Sequence, residues 1–377
     1  MNLRRTRAVA KKEFVHILRD ARSLILALAM PMLMILLFGY ALSLDVDQIP
    51  TAVLDQDRTP QSRELLERFQ ASRYFKIVEM ADSQRAIEHG MDRGEVGLGI
   101  VIAHDYSEKL LTGRQAEVQL LFDGSDSNTA SIAVGYADTV VQTYAVELRE
   151  QFMDRRSGTE MPQSVEPQLR VWYNSELKSK NYIVPGLIAV ILMIISALLT
   201  SLTIAREWEM GTMEQILSTP LRAEELVLGK MSAFFAVGLV DALIAVAIGV
   251  FVFGVPLRGS FWLLFATTCV FLFGALCWGI LLSALARSQL LAFQMGIISS
   301  FLPAFLLSGF IFSIENMPRV VQVLSHFVPA RYFVTLLKGI FLKGVGTYVL
   351  WVEIAFLMLY CALVFFGSTR KVGSRLA

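Results

Sequence analysis

The side chains that most often perform chemistry in proteins are few and widely separated in this chain. Its four histidines are scattered, and its three cysteines all lie in long apolar stretches: His16, His89, His104, His326, Cys269, Cys277 and Cys361. Structural and catalytic zinc sites draw on Cys and His at short, characteristic spacings, and no such spacing occurs here. The sequence therefore predicts no metal site.

Motifs for nucleotide binding or for a nucleophile are also missing from the sequence. A P-loop requires Gly-x-x-x-x-Gly-Lys-Ser/Thr. The nearest stretch is Gly229-Lys230, but Met231 follows it and Glu224 stands in the place of the first glycine. No serine lies in a Gly-x-Ser-x-Gly turn. The sequence thus predicts no catalytic residue, no cofactor held by this chain and no enzymatic activity of its own.

The elements that would position any functional residue are predicted to span a membrane. The 377 residues are 55% apolar and only 18% charged, whereas soluble domains carry about 25% charged residues. This composition excludes a disordered, collagenous or coiled-coil protein. Six stretches are long enough, at about 1.5 Å per helical residue, to cross a hydrocarbon layer of about 30 Å: 24–44, 183–205, 231–254, 261–285, 290–312 and 348–368. The predicted fold is a polytopic α-helical membrane protein with six transmembrane helices.

The distribution of charge predicts the orientation. Residues 1–23 carry seven Lys and Arg, and the tail adds Arg370, Lys371 and Arg375. Cytoplasmic segments next to spans are enriched in Lys and Arg, and six spans place both termini on one side. The sequence thus predicts cytoplasmic termini and an external segment 45–180, which has 15 Lys and Arg against 23 Asp and Glu, a net charge of −8.

The external segment 45–180 is predicted to be an α/β domain inserted between the first two spans. Strand-like stretches alternate with helical patterns, which is typical of a sheet covered by helices; the strands are predicted at 51–55, 74–79, 95–102 and 116–122. Residues 128–155 are predicted to form one long helix. Its apolar stripe suits packing on the sheet of the same domain better than a seam with a partner helix.

Three segments next to the spans are amphipathic or only partly apolar. Residues 1–23 are predicted to contain an amphipathic helix in the inner membrane interface, although basic residues that only set the topology would give the same pattern. The apolar face of this helix is predicted to consist of Ala10, Phe14, Ile17, Leu18 and Ala21. Residues 206–230 form a cytoplasmic loop between spans two and three. Residues 313–347 are predicted to form two short helices broken by Pro329, in an interfacial or re-entrant arrangement.

Polar residues inside the spans are the candidates for a translocation path. Asp241 lies near the middle of the third span, where a carboxylate costs several kcal/mol unless it is protonated, paired or hydrated. Its role as a substrate or cation contact and its role as a hydrogen-bond partner of a neighbouring span both stay open. Pro303 should kink the fifth span, and Ser308 lies near its end.

Separate motifs resemble the permeases of the type 2 ABC exporter family. The first runs from Arg206 to Pro220 after the second span: Arg-Glu-Trp-Glu-Met-Gly-Thr-Met-Glu-Gln-Ile-Leu-Ser-Thr-Pro. Another begins at Ser308-Gly309-Phe310-Ile311-Phe312 and continues in Met317-Pro318 and Pro329-Ala330-Arg331-Tyr332-Phe333. Phe38-Gly39-Tyr40 and the turn Asp123-Gly124-Ser125 also fit. The resemblance covers essentially the whole chain, including the large external domain of one branch of the family.

The resemblance implies a half-transporter. It would work as a homodimer or paralogous heterodimer of permeases with separate ATPase subunits, which bind ATP and Mg²⁺. Segment 1–23 resembles the connecting helix, and segment 313–347 resembles a re-entrant outer hairpin with Pro329, Arg331 and Tyr332. The loop would dock on the ATPase through a coupling helix, with these coupling residues: Arg206, Glu207, Gly211, Thr212, Glu214, Gln215 and Pro220. Glu207 and Glu214 could pair with the connecting helix or with the ATPase, or could only cap and solvate a helix.

The functional hypothesis is a permease subunit of an ATP-driven exporter in the bacterial inner membrane. It would move a hydrophobic or amphipathic, drug-like or lipid-like substrate out of the cytoplasm or the inner leaflet. The alternatives are a transporter driven by an ion gradient and a membrane-anchored, ligand-sensing scaffold. An adaptor in the periplasm is left open as a partner, and no nucleic acid is expected.

Overall fold

The first two helices lie in the region for which the sequence predicts a connecting helix and a span. A computed structural model describes residues 2–42, 47–125, 127–157, 173–174, 178–286 and 288–376. Helix α1 covers Leu3–Arg19, and the side chain of Asn2 caps its first turn. Helix α2 covers Ala21–Ala41. It ends before the predicted boundary at residue 44, and residues 43–46 lie outside the described part of the chain.

A four-stranded sheet with helices on both faces follows. Its elements are β1 Ile49–Asp55, α3 Pro60–Ala71, β2 Phe75–Met80, α4 Gln84–Asp92, β3 Leu98–Ile102, α5 Tyr106–Leu111, β4 Val118–Phe122 and α6 Ser127–Ser157. The strand order is β2-β1-β3-β4, in which only β4 is antiparallel to its neighbour. All four predicted strands and the predicted long helix are present, and residues 158–172 of the predicted domain are not described.

The sheet is covered because its strands are apolar on both faces. One face packs Val53 and Ile100 against Phe69 of α3 and Ala137 of α6. The other face packs Ala52 and Leu54 with Ile87 of α4. Burial of both faces is typical of parallel strands. Residues 44–169 form one of the two compact units of the chain, and an α/β unit is therefore confirmed.

The second compact unit, residues 1–43 and 170–377, is helical. Its remaining elements are α7 Ser179–Glu209, α8 Thr212–Leu217, α9 Ala223–Ala247, α10 Phe261–Leu285, α11 Gln289–Gly296, α12 Leu302–Leu307, α13 Arg319–Ser325, α14 Pro329–Lys338 and α15 Thr347–Leu376. Three short π-helical segments adjoin them: Ile248–Val252, Ile297–Phe301 and Gly339–Lys343.

Five helices of the described chain are long and apolar enough to cross a membrane: Ser179–Glu209, Ala223–Val252, Phe261–Leu285, Gln289–Leu307 and Thr347–Ser374. The stretch Ala27–Ala41 is apolar but shorter. The pair Arg319–Ser325 and Pro329–Lys343 is bent by 85° at its break, so it is either a broken span or a re-entrant loop. A polytopic helical membrane fold is confirmed, while the count of six spans stays a prediction.

Helix α7 is the central element of this unit and is buried along most of its length. Its contact with α10 is close because small residues face each other: a Cβ at Gly279 would overlap Thr200 and the carbonyl of Ala197. Thr200 Oγ1 donates a 2.9 Å hydrogen bond to the carbonyl of Leu276, and Ser283 Oγ accepts from the backbone of α7. Small residues and hydroxyl bonds of this kind hold helices together where lipid removes the hydrophobic drive between them.

Candidate functional site

The segment after α7 forms a tight helical turn that presents acidic and polar side chains. Gly211 has φ +70°, a left-handed conformation that favours glycine, and it reverses the chain between α7 and α8. In α8, Met213 is buried while Glu214 and Gln215 are exposed. Met210, just before the turn, is 68% exposed. This corner therefore offers a mixed apolar and acidic surface beside α8.

The side chain of Glu207 points into the helical unit and connects the turn before α8 to neighbouring helices. Its carboxylate lies 2.9 Å from Lys230 Nζ of α9 and 3.2 Å from Lys12 Nζ of α1, and it accepts a hydrogen bond from Thr212 Oγ1 of α8. Lys230 Nζ is also 2.7 Å from the buried Glu13 carboxylate. One cluster thus joins α1, α7, α8 and α9. Glu207 thus pairs with a basic residue of α1, the helix for which the sequence predicts a connecting role, whereas Glu214 lies exposed on α8.

A second set of contacts fixes the start of α1. Glu225 accepts hydrogen bonds from the backbone of Asn2 at 2.5 Å and of Arg222 at 3.2 Å. The Arg5 side chain donates to the carbonyl of Pro220. Because Pro220 ends the predicted coupling motif, α1 is bound to both ends of that motif.

The face of α1 that packs on protein differs from the predicted apolar face. A Cβ at Gly229 would come within 2.6 Å of Val9 Cβ, so α1 lies directly against α9 through Val9 and Glu13. Phe14 and Leu18, which belong to the predicted apolar face, are 44% and 55% exposed. The helix therefore has a protein-facing side and a separate exposed apolar side, and the second is the side available to lipid.

The C-terminal end of α7 is also joined to α11. Glu209 Oε1 accepts from the backbone of Gln289 at 2.8 Å, and Arg206 Nε donates to Gln289 Oε1 at 3.4 Å. Arg206 and Glu209 thus contact α11, whereas Glu207 contacts α9 and α1. The coupling motif is connected to three neighbouring helices through its own side chains.

Asp241 lies on the face of α9 that also carries Lys230, Phe234 and Val237, because these positions follow each other at helical spacings of three and four. It is only 2% exposed. Neither carboxylate oxygen has a hydrogen-bond partner among the described residues. The hydrogen bond to a neighbouring span that the sequence left open is therefore not seen in this part of the chain.

The fifth predicted span is irregular where the sequence places its proline. The π-helical segment Ile297–Phe301 immediately precedes α12, in which Pro303 occupies the first turn. Proline lacks an N–H and cannot continue a regular helical ladder. The hydroxyls of Ser300 and Ser308 are buried without a partner in the described residues. Pro303 and Ser308 thus belong to a locally rearranged helix that contains unsatisfied polar groups.

Gly309 connects the end of this helix to α7 and α14. It has φ +77°, and its carbonyl accepts hydrogen bonds from Tyr182 Oη at 3.1 Å and Lys338 Nζ at 2.8 Å. Lys338 Nζ also lies 3.3 Å from the centre of the Tyr182 ring. Tyr182 and Lys338 are not among the residues that the sequence predicted for a site. An isolated lysine in an apolar-faced helix was the available signal.

The residues predicted for the outer hairpin lie at the bend between α13 and α14. Pro329 begins α14, where its missing N–H costs no hydrogen bond. Arg331 Nη1 donates to Ser325 Oγ at 2.5 Å, and Tyr332 Oη donates to the carbonyl of His326 at 2.9 Å. These contacts close the turn between α13 and α14. Their role in the described structure is to hold the 85° bend.

The predicted site residues thus form separate groups and not one reactive centre. The coupling motif lies at the C-terminal end of α7, and the Gly309 contacts lie at its N-terminal end, about 40 Å away along 27 helical residues. In the described ranges, no three His, Cys, Asp or Glu side chains are placed to hold a metal ion. Asp241 is separate from both groups.

Comparison with known proteins identifies the family of the chain. Residues 21–370 match the family described as ABC-2 family transporter protein. The chain belongs to this family, which confirms the resemblance, and it is a multi-pass membrane protein. It is 34% identical over 370 residues to the "Probable multidrug ABC transporter permease YbhS" of Escherichia coli strain K12, covering 98% of this chain and 96% of that protein.

Two further relatives span most of the chain. The "Probable multidrug ABC transporter permease YbhR" of the same organism is 33% identical over 341 residues, or 90% of each chain. The "Inner membrane transport permease YhhJ", also from strain K12, is 28% identical over 314 residues, covering 82% of this chain and 81% of that protein.

Proposed function

We propose that the chain is the membrane-spanning permease subunit of an ATP-driven exporter and has no ATPase site of its own. A separate ATPase subunit would bind ATP and Mg²⁺ and supply the energy, and a second permease, identical or paralogous, would complete the pathway. The printed names of the relatives, which describe multidrug and inner membrane permeases, support this proposal. The single observation that carries it is the corner at α8, exposed through Glu214 and anchored through Glu207.

In the proposed mechanism, α8 transmits force to the spans through rigid contacts. An ATPase that moves α8 would pull on Glu207 through Thr212, and Glu207 is bonded to Lys230 of α9 and Lys12 of α1. Ion pairs in a poorly hydrated setting are stiff because breaking one leaves an uncompensated charge. Motion of α8 would therefore shift α7, α9 and α1 together.

The proposed topology places the termini and α8 in the cytoplasm and the sheet unit outside. Its support is the excess of Lys and Arg in residues 1–23 and in the tail. The protein would then lie in the bacterial inner membrane with six spans, and the pair α13–α14 would be a re-entrant outer hairpin. An adaptor in the periplasm would have access to the sheet unit.

The proposed cargo is a hydrophobic or amphipathic molecule taken from the cytoplasm or the inner leaflet. Asp241, Pro303 and Ser308 are the candidates for the path. In the described part of the chain Asp241 is a buried carboxylate without a hydrogen-bond partner and Pro303 follows an irregular helix, and costly features of this kind inside spans often mark a transport path. A transporter driven by an ion gradient, with Asp241 as its relay, and a ligand-sensing scaffold are the alternatives.

The test is reconstitution with a defined ATPase. The tagged chain is purified from its own host membrane, P-loop ATPases that accompany it are identified by mass spectrometry, and each is expressed separately. We expect one of them to bind and to drive ATP-dependent movement of a fluorescent amphipathic dye across vesicles. Transport that needs no ATPase but follows an imposed proton or sodium gradient would contradict the proposal.

A matched pair of charge reversals tests the docking corner. Glu214→Arg on α8 should abolish binding of that ATPase. Glu224→Arg, an equally exposed glutamate at the start of α9, should leave binding intact. Equal effects of the two variants would mean that α8 is not the contact.

A further inference from the structure

A cavity opens between α1, α2, α7, α9 and α11, beside the cluster around Lys230. Its volume is about 260 Å³, slightly below the roughly 300–1,000 Å³ of pockets that enclose drug-sized ligands. All of its lining residues belong to the helical unit. A cavity of this volume can hold part of an alkyl chain.

One part of the cavity is a continuous apolar wall. Ile17 of α1 and Leu24 of α2 face α7 and α9 across it, and the wall also includes Leu199, Leu202, Phe234 and Val237. A chain that arrives from water gains about 0.8 kcal/mol for each methylene group buried against such a wall. A chain that arrives from lipid gains only packing contacts, so the wall accommodates the chain while the headgroup contacts provide the selectivity.

The other part of the cavity is lined by charged side chains of both signs. Its three Lys and Arg are matched by three Asp and Glu, with His16 beside them: Lys12, Arg206, Lys230, Glu13, Asp20 and Glu207. An adjoining depression on α1 adds Lys11 and Arg19, so that the two together carry five Lys and Arg against three Asp and Glu. Two of the three carboxylates in the lining are already bonded: those of Glu13 and Glu207 to Lys230, and that of Glu207 also to Lys12.

The cations that remain are available to an anion. Within the described chain, no ion pair involves Lys11, Arg19 or Arg206. The guanidinium of Arg206 contacts only the side-chain oxygen of Gln289 in that part of the chain, at 3.4 Å. Guanidinium and ammonium groups recognise phosphate strongly, the former often through two parallel hydrogen bonds. A headgroup with negative charge would complete this end of the cavity.

We infer that this cavity binds an anionic amphiphile, with an acidic headgroup such as a phosphodiester at Arg206 and the cations of α1, and an alkyl chain along the wall of α7 and α9. In the proposed topology the cavity opens at the level of the inner leaflet. Binding does not depend on the export function, whereas the role of the amphiphile as cargo rests on the proposed function.

The experiment measures binding without ATP or ATPase, so that its failure is separate from failure of the export proposal. The purified full-length chain in neutral detergent is titrated with fluorescently labelled phosphatidylglycerol. Competitors are unlabelled phosphatidylglycerol, phosphatidylcholine and glycerol 1-phosphate. We expect phosphatidylglycerol to compete about tenfold better than phosphatidylcholine, since each basic group near a lipid surface gives about fivefold. Glycerol 1-phosphate should compete only weakly because it lacks the chain.

Two pairs of variants separate the headgroup contact from the chain contact. Arg206→Gln should weaken phosphatidylglycerol binding about threefold to tenfold, and Arg7→Gln, an exposed arginine on α1 away from the cavity, should leave it unchanged. Ala27→Phe, which fills the cavity from α2, should also weaken binding, whereas Ala29→Phe on the same helix should not. Leu24→Trp replaces Ala27→Phe if that variant does not fold.

Three results would overturn the inference. They are equal competition by phosphatidylcholine, equal competition by glycerol 1-phosphate, and full binding by the cavity-filling variants. The first result would show that binding does not depend on a negative charge in the headgroup. The second would show that the phosphate group alone accounts for binding. The third would show that the lipid binds to the basic surface of α1 and not in the cavity.

Discussion

At the scale of single residues, Lys230 shows how a charge can be stabilised at the start of an apolar helix. Its ammonium lies between the carboxylates of Glu13 and Glu207, at 2.7 Å and 2.9 Å. The sequence presented this lysine only as part of an incomplete P-loop. Its physical role is to compensate two carboxylates that the packing of α1 and α7 has buried.

We expect Lys230→Met to destabilise the folded unit by about 3 kcal/mol, because removing one partner of a buried ion pair leaves the other charge uncompensated. The double variant Lys230→Met with Glu13→Gln should recover part of this loss, since one of the two orphaned carboxylates is then neutral. Thermal unfolding in detergent measures both effects, with the exposed Lys11→Met as the control. A double variant as unstable as the sum of the single variants would contradict the pairing.

Asp241 allows a second prediction at this scale. Because its carboxylate has no hydrogen bond among the described residues, Asp241→Asn removes no observed contact, and the unfolding midpoint should stay within about 2 °C. If the carboxylate lies on the transport path, dye export should fall about tenfold or more. The control is Val240→Ala, at an exposed neighbouring position. Unchanged export by Asp241→Asn would remove this residue from the path.

At the scale of elements, the contact between α1 and α9 decides how the coupling motif is supported. Val9 fits against Gly229, and Glu13 reaches Lys230 one residue further along α9. Periodicity identified α1 as amphipathic and placed Phe14 and Leu18 on an apolar face in the inner membrane interface. That location stays a prediction, and the exposure of both side chains is consistent with it. Periodicity could not show that the other side of α1 packs on α9, because a pairing such as Glu13 with Lys230 joins distant segments.

The turn before α8 gives a prediction about this element. Apart from its two chain neighbours, no atom of the described residues lies within 4 Å of a Cβ placed on Gly211, so the demand that the structure shows on this position is its φ of +70°. Gly211→Ala should therefore cost about 1 kcal/mol of local strain, and Gly211→Asn less, because asparagine tolerates the left-handed region better. ATP hydrolysis by the reconstituted complex should lose its stimulation by the dye in that order. An equal loss of stimulation in both variants would indicate that Gly211 contacts the ATPase, and that the geometry of the turn does not cause the effect.

At the scale of the whole molecule, topology is the property on which the functional proposal depends. We expect Arg93→Cys, at an exposed position of the sheet unit, to react with an impermeant thiol reagent in intact cells. Glu214→Cys should react only after the membrane is permeabilised. Both changes are made in a chain whose Cys269, Cys277 and Cys361 are replaced by serine or alanine. Labelling in the reverse order would show that the orientation is inverted.

The sequence by itself determined the class of the fold and the family. Long apolar stretches leave a helix in lipid as the only way to satisfy the backbone, so the spans follow from composition. Alternation of strands and helices gave the sheet unit, and the motif from Arg206 to Pro220 gave the family. These signals are local, and each can be read from one contiguous stretch of residues.

Only the tertiary structure decided which charged side chains pair with each other inside the protein and which remain free to contact a ligand or a partner. Glu13 and Lys230 are 217 positions apart in sequence, and Tyr182 and Lys338 are 156 apart, so no periodicity could pair them. Glu207 and Glu214 look alike in the motif, yet one is neutralised by two lysines while the other is exposed on α8. The same packing leaves Arg206 beside an apolar cavity. Pairing across distant segments depends on how helices are placed against each other, and that placement is set by close contacts such as Val9 against Gly229.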